Sequence, residues 1–427
     1  MSISPLATAP SSKQVPCRLA AAWMQVAVVM IIWLALRPRG ELYVPHRPFP
    51  FLVYAAIAEG LALSMCVASL LAWLRTRSRP AAILTLVSTV LAVAVGADAW
   101  LSYRDEVVFE GQVAADRRYR VYVHGWLRDD NCRDNIFFHK KTDSSPGPYT
   151  AGFRCKMLDS DFIVGPQGFR RHSTRAIGPG SPIVMCTGGS VAFGMTIDSA
   201  DRPYPDMLED VLVGTNPLLA DVRVVNAAMP GFDVKACRQL MLANKQLSPA
   251  AIVFYEAINY MPRPLPKRTV ARNSGIASWI DRCYVRLESL RALRSYSGEE
   301  YKKELLRFIR ACRSLSATPV LVTFAMPYRS DADERTLEYY DVMQNGQGSA
   351  YAAARLAEIH NQMMREAAAE TGAVCIDAAG ELTGREELFV DSCHFSQEGC
   401  RLLAELVAPA VAETLLDGRH VGLASVE

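Results

Sequence analysis

From Ser181 onward, the sequence alternates between short apolar stretches and longer amphipathic ones. The apolar stretches are rich in β-branched residues, which is typical of parallel strands covered on both faces. Because strand and helix alternate, the sequence predicts a three-layer α/β/α domain around a central parallel sheet of about five strands. The predicted strands are 183–186, 222–225, 251–255, 320–324 and 374–376. The predicted helices are 205–212, 234–244, 300–314, 350–371 and 397–416.

The first hundred residues contain three long apolar runs, at 19–36, 51–74 and 81–101. Each approaches or exceeds the roughly 18–20 residues that cross a bilayer as a helix. None has the polar face expected of a helix that packs on a soluble core. A signal peptide is the alternative for the first run, but no clear cleavage site follows it and two more runs do. The sequence therefore predicts a membrane region, residues 1–102, with three transmembrane helices.

The orientation of these helices follows from the positive charges in their short flanking loops, which favour the cytoplasmic side. A narrow excess, five against four, predicts a cytoplasmic N-terminus. The protein is then a multi-pass protein of the plasma (inner) membrane, and its large C-terminal part lies on the periplasmic or extracellular side. Glu59 interrupts the second run, and we expect it to pack between the helices. The counted residues are Lys13, Arg18, Arg75, Arg77 and Arg79 on one side, and Arg37, Arg39, Arg47 and Arg104 on the other.

The charge of the chain is almost balanced, at +2 over 427 residues. There is no basic run, RNA-binding signature or zinc-finger spacing, so the sequence predicts no nucleic-acid partner. The histidines show no metal-ligand spacing, and the sequence predicts no metal and no cofactor.

Nine of the eleven cysteines follow the membrane region, and an odd number cannot all pair internally. Cys132 and Cys155 flank a polar loop and are the best candidates for a disulfide. Cys186 and Cys375 lie in predicted strands, where we expect buried free thiols.

The remaining segments divide the chain further. Residues 103–180 have short β-like stretches at 107–109 and 119–123 and predict a membrane-proximal β-rich extension without chemistry of its own. The catalytic domain is predicted at 181–417 and a tail at 418–427. Within the domain, 261–296 is long for a connection, and its prolines and Trp279 indicate a loop or lid that selects substrate.

Polar residues and glycines follow the predicted strands at the edge where parallel sheets bind ligands. Ser190 stands on the glycine turn after the first strand and is the candidate nucleophile. Gly231, after the second strand, offers a backbone N–H, and Asn259, after the third, offers a side-chain N–H₂. With the N–H of Ser190 itself, these donors form a candidate oxyanion hole. After the fifth strand, His394 is the candidate base and Asp391 the residue that orients it.

These residues resemble the four sequence blocks of the SGNH (GDSL-type) hydrolases, over roughly residues 183–411. Gly188-Gly189-Ser190 corresponds to the first block, Gly231 to the second, Asn259 to the third and Asp391-x-x-His394 to the last. The resemblance implies a flavodoxin-like fold and serine esterase, lipase, deacetylase or acyltransferase chemistry, here in a membrane-anchored bacterial form. Gly189 replaces the usual aspartate, as in the Gly-Gly-Ser variant of bacterial relatives. In the third block, Ala257 and Tyr260 stand where glycine and aspartate are usual.

Several other residues compete for these roles. Asp417-x-x-His420 also fits the last block, but it follows the last predicted helix, whereas Ser396 can cap a helix that begins just after His394. Cys393 is read as structural or disulfide-bonded rather than as a nucleophile. Glu256, next to the candidate site, is read either as a satisfied loop carboxylate or as a substrate contact. His360, in an amphipathic helix, is read as a surface or packing residue.

The sequence thus predicts a membrane-anchored SGNH-type esterase, lipase or deacetylase. Its expected substrate is an acylated envelope glycan, a lipid or a small ester. An O-acyltransferase would use the same acyl-enzyme and differ only in the acceptor. A non-catalytic binding or assembly module of the same fold is the alternative from another class, and a transport or sensing role of the membrane helices is a third.

Overall fold

The computed structural model describes residues 154–157, 160–165, 167–170, 180–197, 202–260, 275–343 and 349–424, and isolated residues between 67 and 178. By its internal contacts the chain divides into two compact units. One comprises Met1–Ala114 with Thr269–Asp281, and the other Ala115–Arg268 with Arg282–Glu427.

None of the helices that the structure describes is both long and apolar enough to cross a membrane. The predicted span 19–36 lies outside the described residues, as do most of 51–74 and part of 81–101. The three transmembrane helices and the boundaries of the membrane region therefore remain predictions.

A small antiparallel hairpin precedes the main domain. Its strands are β1, Arg154–Met157, and β2, Ser160–Ile163, paired from Arg154 opposite Ile163 to Met157 opposite Ser160. The strands expected at 107–109 and 119–123 lie outside the described residues, as does Cys132, so the Cys132–Cys155 disulfide stays a prediction.

Five parallel strands form the central sheet, in the spatial order β4-β3-β5-β6-β7. This is the 2-1-3-4-5 order of flavodoxin-like folds, and all five were predicted at these places in the chain. Strands β3, β4 and β5 are buried throughout except at Arg223, as expected for a sheet covered on both faces. The strands are β3, Ile183–Gly188; β4, Arg223–Asn226; β5, Ala251–Tyr255; β6, Thr318–Val322; and β7, Val374–Ile376.

Strand β6 ends two residues before the predicted end at Phe324. The backbone of Phe324 is held by a side chain instead of a strand: its N–H donates to Asn361 Oδ1 at 2.6 Å, and its C=O accepts from Asn361 Nδ2 at 2.9 Å. The amide of Asn361 thus replaces the neighbouring strand as partner of this backbone.

Nine α-helices are described. Helices α2 and α9 pack together, and α5 packs on both α3 and α7. Right-handed crossovers place these two groups on opposite faces of the sheet, because the step from β3 to β4 runs against the direction of the later ones. The helices are α1, Ser190–Phe193; α2, Tyr204–Thr215; α3, Val234–Ala243; α4, Gly275–Arg294; α5, Glu299–Ser314; α6, Glu334–Met343; α7, Ala350–Thr371; α8, Ala378–Leu382; and α9, Gln397–Ala424.

Two segments are helical where the sequence predicted no helix. Helix α4 occupies 275–294 of the predicted loop or lid 261–296, whereas 261–274 lie outside the described residues, and the role in substrate selection stays a prediction. From 276 to 294 the sequence has no proline or glycine, and Arg291 and Arg294 in the last turn complement the helix dipole. Helix α9 continues through Gly418 to Ala424, where a tail was predicted from 418. A glycine inside a helix costs only about 1 kcal/mol, so Gly418 need not end it.

The cysteine predictions had mixed outcomes. Cys186 is a buried free thiol as expected, and burial raises its pKa to about 12. Cys375 is free but exposed; it is the middle residue of β7, the edge strand of the sheet. Cys393 is free and buried. The prediction that it is a structural cysteine is therefore correct, and the alternative that it forms a disulfide is wrong.

Candidate active site

The turn after β3 presents Ser190 at the carboxyl edge of the sheet. A Cβ on Gly188 would lie 2.2 Å from the backbone oxygen of Tyr255 in β5, so only glycine fits where the two strands meet. Ser190 begins the short helix α1, which ends at Gly194 in the left-handed conformation, φ 76°. Residues 191–193 are buried, whereas Ser190 is partly exposed. The strand, turn and short helix therefore hold the hydroxyl of Ser190 at an accessible position.

His394 joins Ser190 to Asp391. Its Nε2 lies 2.8 Å from Ser190 Oγ, and its Nδ1 lies 2.6 Å from Asp391 Oδ2. The second carboxylate oxygen, Asp391 Oδ1, accepts the backbone N–H groups of Cys393 at 2.8 Å and His394 at 2.7 Å. These bonds fix both the position of the carboxylate and the face it presents to the imidazole. The three residues predicted from the sequence thus form one continuous hydrogen-bonded chain.

The electrostatics of this chain suit proton transfer. Burial opposes ionisation of Asp391, but His394 and the two backbone N–H donors outweigh burial and lower the pKa of Asp391. Burial favours the neutral imidazole of His394, but the carboxylate of Asp391 outweighs burial and raises the pKa of His394 well above its usual value. An imidazolium formed at His394 is therefore stabilised where it stands.

The candidate oxyanion donors Gly231 and Asn259 lie beside the turn that carries Ser190. Asn259 Nδ2 donates to the backbone oxygen of Phe232 at 3.0 Å, next to Gly231. The loop that carries Gly231 is tied to β3, because Met229 N–H donates to the oxygen of Gly188 at 3.0 Å. Gly231 has φ 78°, a conformation that favours glycine. The structure therefore places Gly231 and Asn259 together beside the serine turn, and their role as oxyanion donors stays a prediction.

The packing of Asn259 explains why glycine stands before the serine. A Cβ on Gly189 would lie 2.3 Å from Asn259 Nδ2 and 3.2 Å from Glu256 Cγ. The backbone of Gly189, φ −85°, would accept other residues, so the need for glycine is steric. The amide of Asn259 thus occupies the space that an aspartate side chain would need.

Arg170 is a residue near the site that sequence reasoning missed. It is buried, it makes an isolated β-bridge with Asn226, and its guanidinium donates to the backbone oxygens of Phe193 at 3.0 Å and Ile197 at 2.8 Å and also to that of Gly194. The extension, predicted to have no chemistry, thus supports the segment that follows the nucleophile turn. One arginine in a loop carries no periodic signal, so the sequence offered nothing to identify it.

Cys393 lies on the other side of His394 from the serine. Its Sγ is 3.5 Å from His394 Nδ1, the nitrogen that also faces Asp391. Burial raises the pKa of Cys393, which disfavours the thiolate. Asp391, Cys393 and His394 also bring three possible metal-ligand atoms within 4.8 Å. The carboxylate of Asp391 already contacts the imidazole of His394 and accepts two backbone N–H groups. This is the arrangement of an acid–base pair.

Two further histidines, His360 and His420, lie in helices. His360 is fully buried on α7, so its packing reading is correct, and burial lowers its pKa to about 4. His420 lies within α9, not in the predicted tail.

Comparison with solved structures gives distant matches. An α/β hydrolase from the metagenome of Lake Arreo is 16% identical, with a TM-score of 0.37, and the match covers 55% of this chain and 96% of that one. A lipase/acylhydrolase from Enterococcus faecalis is 16% identical, with a TM-score of 0.36, covering 54% and 96%. An acetyl xylan esterase from Geobacillus stearothermophilus is 14% identical, with a TM-score of 0.35, covering 55% and 94%. Likeness at this level says nothing about substrate.

Sequence comparisons give one decisive match. A comparison with curated proteins found none that matches. The model of the GDSL-like Lipase/Acylhydrolase family matches residues 186–402, half of the chain. The matched segment begins in β3, just before the serine turn, and ends in α9, just after the Asp391–His394 pair. The chain therefore belongs to the GDSL-like lipase/acylhydrolase family and is an SGNH-type esterase.

Proposed function

We propose that this protein is a membrane-anchored serine hydrolase that cleaves an ester bond through an acyl-enzyme on Ser190. The observation that carries the proposal is the chain from Ser190 Oγ to His394 Nε2 and from His394 Nδ1 to Asp391 Oδ2, at 2.8 and 2.6 Å. A serine is a weak nucleophile unless a positioned base takes its proton, and His394 is that base.

The proposed reaction has two halves. Ser190 Oγ attacks the acyl carbonyl while its proton passes to His394 Nε2, and the imidazolium then protonates the departing alcohol. Water attacks the acyl-enzyme in the second half, giving its proton to His394, which returns it to Ser190 as the acid is released. Both tetrahedral intermediates place negative charge on the former carbonyl oxygen, beside the N–H groups of Ser190, Gly231 and Asn259. One such donor contributes about 10²–10³-fold in rate.

For the substrate we propose an acylated envelope glycan or a lipid ester outside the cytoplasm. The support is the sequence: three apolar runs of membrane-spanning length precede the catalytic domain, and the loop charges favour a cytoplasmic N-terminus. An alkaline phosphatase fused after Glu427 should be active in intact cells, because that enzyme folds only outside the cytoplasm. An inactive fusion that is present at the wild-type level would reverse the proposed topology.

The acyl-enzyme can be tested without knowing the substrate. A fluorophosphonate probe should label the purified full-length protein, and peptide mapping should place the adduct on Ser190. The His394→Ala variant should label far more slowly, because the serine loses its base, and heat-unfolded protein should not label. Folded wild-type protein that stays unlabelled would contradict the proposal and favour a binding module, and an adduct on Cys393 would contradict the choice of nucleophile.

A further inference from the structure

The loop after β5 is folded around the side chain of its first residue. Glu256 is 1% exposed. Its Oε1 accepts the backbone N–H groups of Ile258 at 2.8 Å and Asn259 at 2.5 Å. Buried N–H groups need acceptors, and one carboxyl oxygen here serves two of them. The side chain of Glu256 thereby closes the turn that ends at Asn259.

Two neighbouring helices hold the same loop by its carbonyl groups. The hydroxyl of Tyr301, in α5, donates to the backbone oxygen of Glu256 at 2.7 Å. His360 Nδ1, in α7, contacts the backbone oxygen of Ala257, which requires a proton on Nδ1. His360 Nε2 is then the acceptor for the hydroxyl of Tyr296, 2.6 Å away. These contacts fix the start of the loop and leave its far end, at Ile258 and Asn259, to Glu256.

Glu256 also packs against the serine turn. Its Cγ would be 3.2 Å from a Cβ on Gly189, the position that Asn259 Nδ2 also crowds. The carboxyl group, the Asn259 amide and Gly189 are therefore packed against one another. A shift of the carboxyl group would be transmitted to the amide through the Asn259 N–H that it holds.

We propose that Glu256 is a positioning residue whose carboxyl group holds the Asn259 loop and so aims the Asn259 amide over the serine turn. This inference rests on the proposed function, because it assumes that Asn259 donates to the oxyanion. It also accounts for a loop that has Ala257 and Tyr260 where relatives are expected to have glycine and aspartate: a side-chain acceptor within the loop and two clamping helices fix its conformation.

The surroundings of Glu256 favour the neutral form of its carboxyl group. Burial raises its pKa to about 8 in spite of the N–H groups of Asn259 and Ile258, and Asp233 raises it further. The titratable groups that face it are themselves acids: Asp233 just before α3, Cys237 in α3 and Tyr301 in α5. Among the described residues, Glu256 Oε2 has no hydrogen-bond partner. Ionisation therefore places an uncompensated negative charge next to the site where the oxyanion would form.

Two substitutions separate the positioning role from a general structural one. Glu256→Gln keeps an oxygen acceptor for both N–H groups but cannot ionise, and kcat for a short-chain ester at pH 7 should stay within about threefold of wild type. Glu256→Ala removes the acceptor, and kcat should fall about 10²-fold with little change in KM, the effect of losing one oxyanion donor. Glu209→Gln is the matched control, since Glu209 is equally buried but accepts from Val224 N–H in β4 instead.

The pH profile and a structure complete the test. His394 must lose its proton to act as the base in all three proteins, so each kcat is compared with that of the wild type at the same pH. Above pH 8, kcat of Glu256→Gln relative to the wild type should rise with pH, whereas that of Glu209→Gln relative to the wild type should stay constant. A ratio of Glu256→Gln to wild type that stays constant above pH 8 would overturn the proposal. A crystal structure of Glu256→Ala with Asn259 Nδ2 still over Gly189 would overturn it even if no ester were cleaved. Failure of the proposed function is distinct, because then wild-type protein would not label with fluorophosphonate.

Discussion

Replacement of Ser190 by alanine is expected to lower kcat for a short-chain ester by about 10⁶-fold, the loss seen when a triad nucleophile is removed. The reason is geometric, since Ser190 Oγ is the group that His394 Nε2 faces, at 2.8 Å. The change should leave the fold intact, because Ser190 is the first residue of α1 and is partly exposed. Steady-state kinetics with a chromogenic acyl ester, together with a thermal unfolding curve, make the measurement.

Two further variants make that result specific. Ser314→Ala removes a surface hydroxyl whose only described bond is to the Ala311 oxygen in its own helix, and kcat should not change. Cys393→Ala tests the nearest rival nucleophile, whose Sγ faces His394 Nδ1 instead of Nε2. Activity that survives in Ser190→Ala but disappears in Cys393→Ala would contradict the assignment of Ser190.

The strands and the residues that follow them were predictable because both depend on local patterns. Runs of β-branched residues mark 183–186 and 251–255, and a parallel sheet brings the ends of such strands to one edge. Ser190 and Asn259 were therefore expected to meet, although they are far apart in sequence. The sequence also separated His394 from His420 by the position of the last helix, even though that helix proved longer than predicted.

The supports of the site were not predictable in the same way. Arg170 and His360 act through contacts with backbone carbonyls that are distant in sequence, and such contacts leave no periodic pattern. Glu256 was visible as a carboxylate near the site, but its effect depends on full burial and on two N–H groups of its own loop. Gly189 was seen as a departure from the usual aspartate, and its reason, the space taken by Asn259, needs coordinates. Local pattern thus predicts where reacting groups lie, whereas tertiary packing decides how they are held.

Asp391→Asn should lower kcat by about 10⁴-fold, because it places the wrong tautomer at His394. The backbone N–H groups of Cys393 and His394, at 2.8 and 2.7 Å from Oδ1, need an acceptor, so the oxygen of the new amide will face them. Its NH₂ then faces His394 Nδ1, which must become the acceptor, and the ring proton moves to Nε2. Nε2 can then no longer take the proton of Ser190. Two backbone bonds, made to the far side of the carboxylate, thus determine which imidazole nitrogen is basic.

The measurement is kcat on the same ester, with Asp210→Asn as the control. Asp210 is an exposed carboxylate that pairs with Arg202 on the surface, so its neutralisation should leave kcat unchanged. The crystal structure of Asp391→Asn should keep the 2.8 Å contact between His394 Nε2 and Ser190 Oγ, now with Nε2 as donor. A variant with kcat within tenfold of wild type would mean that His394 does not need Asp391 to set its tautomer. The orienting role of Asp391 would then be wrong, even if Ser190 remained the nucleophile.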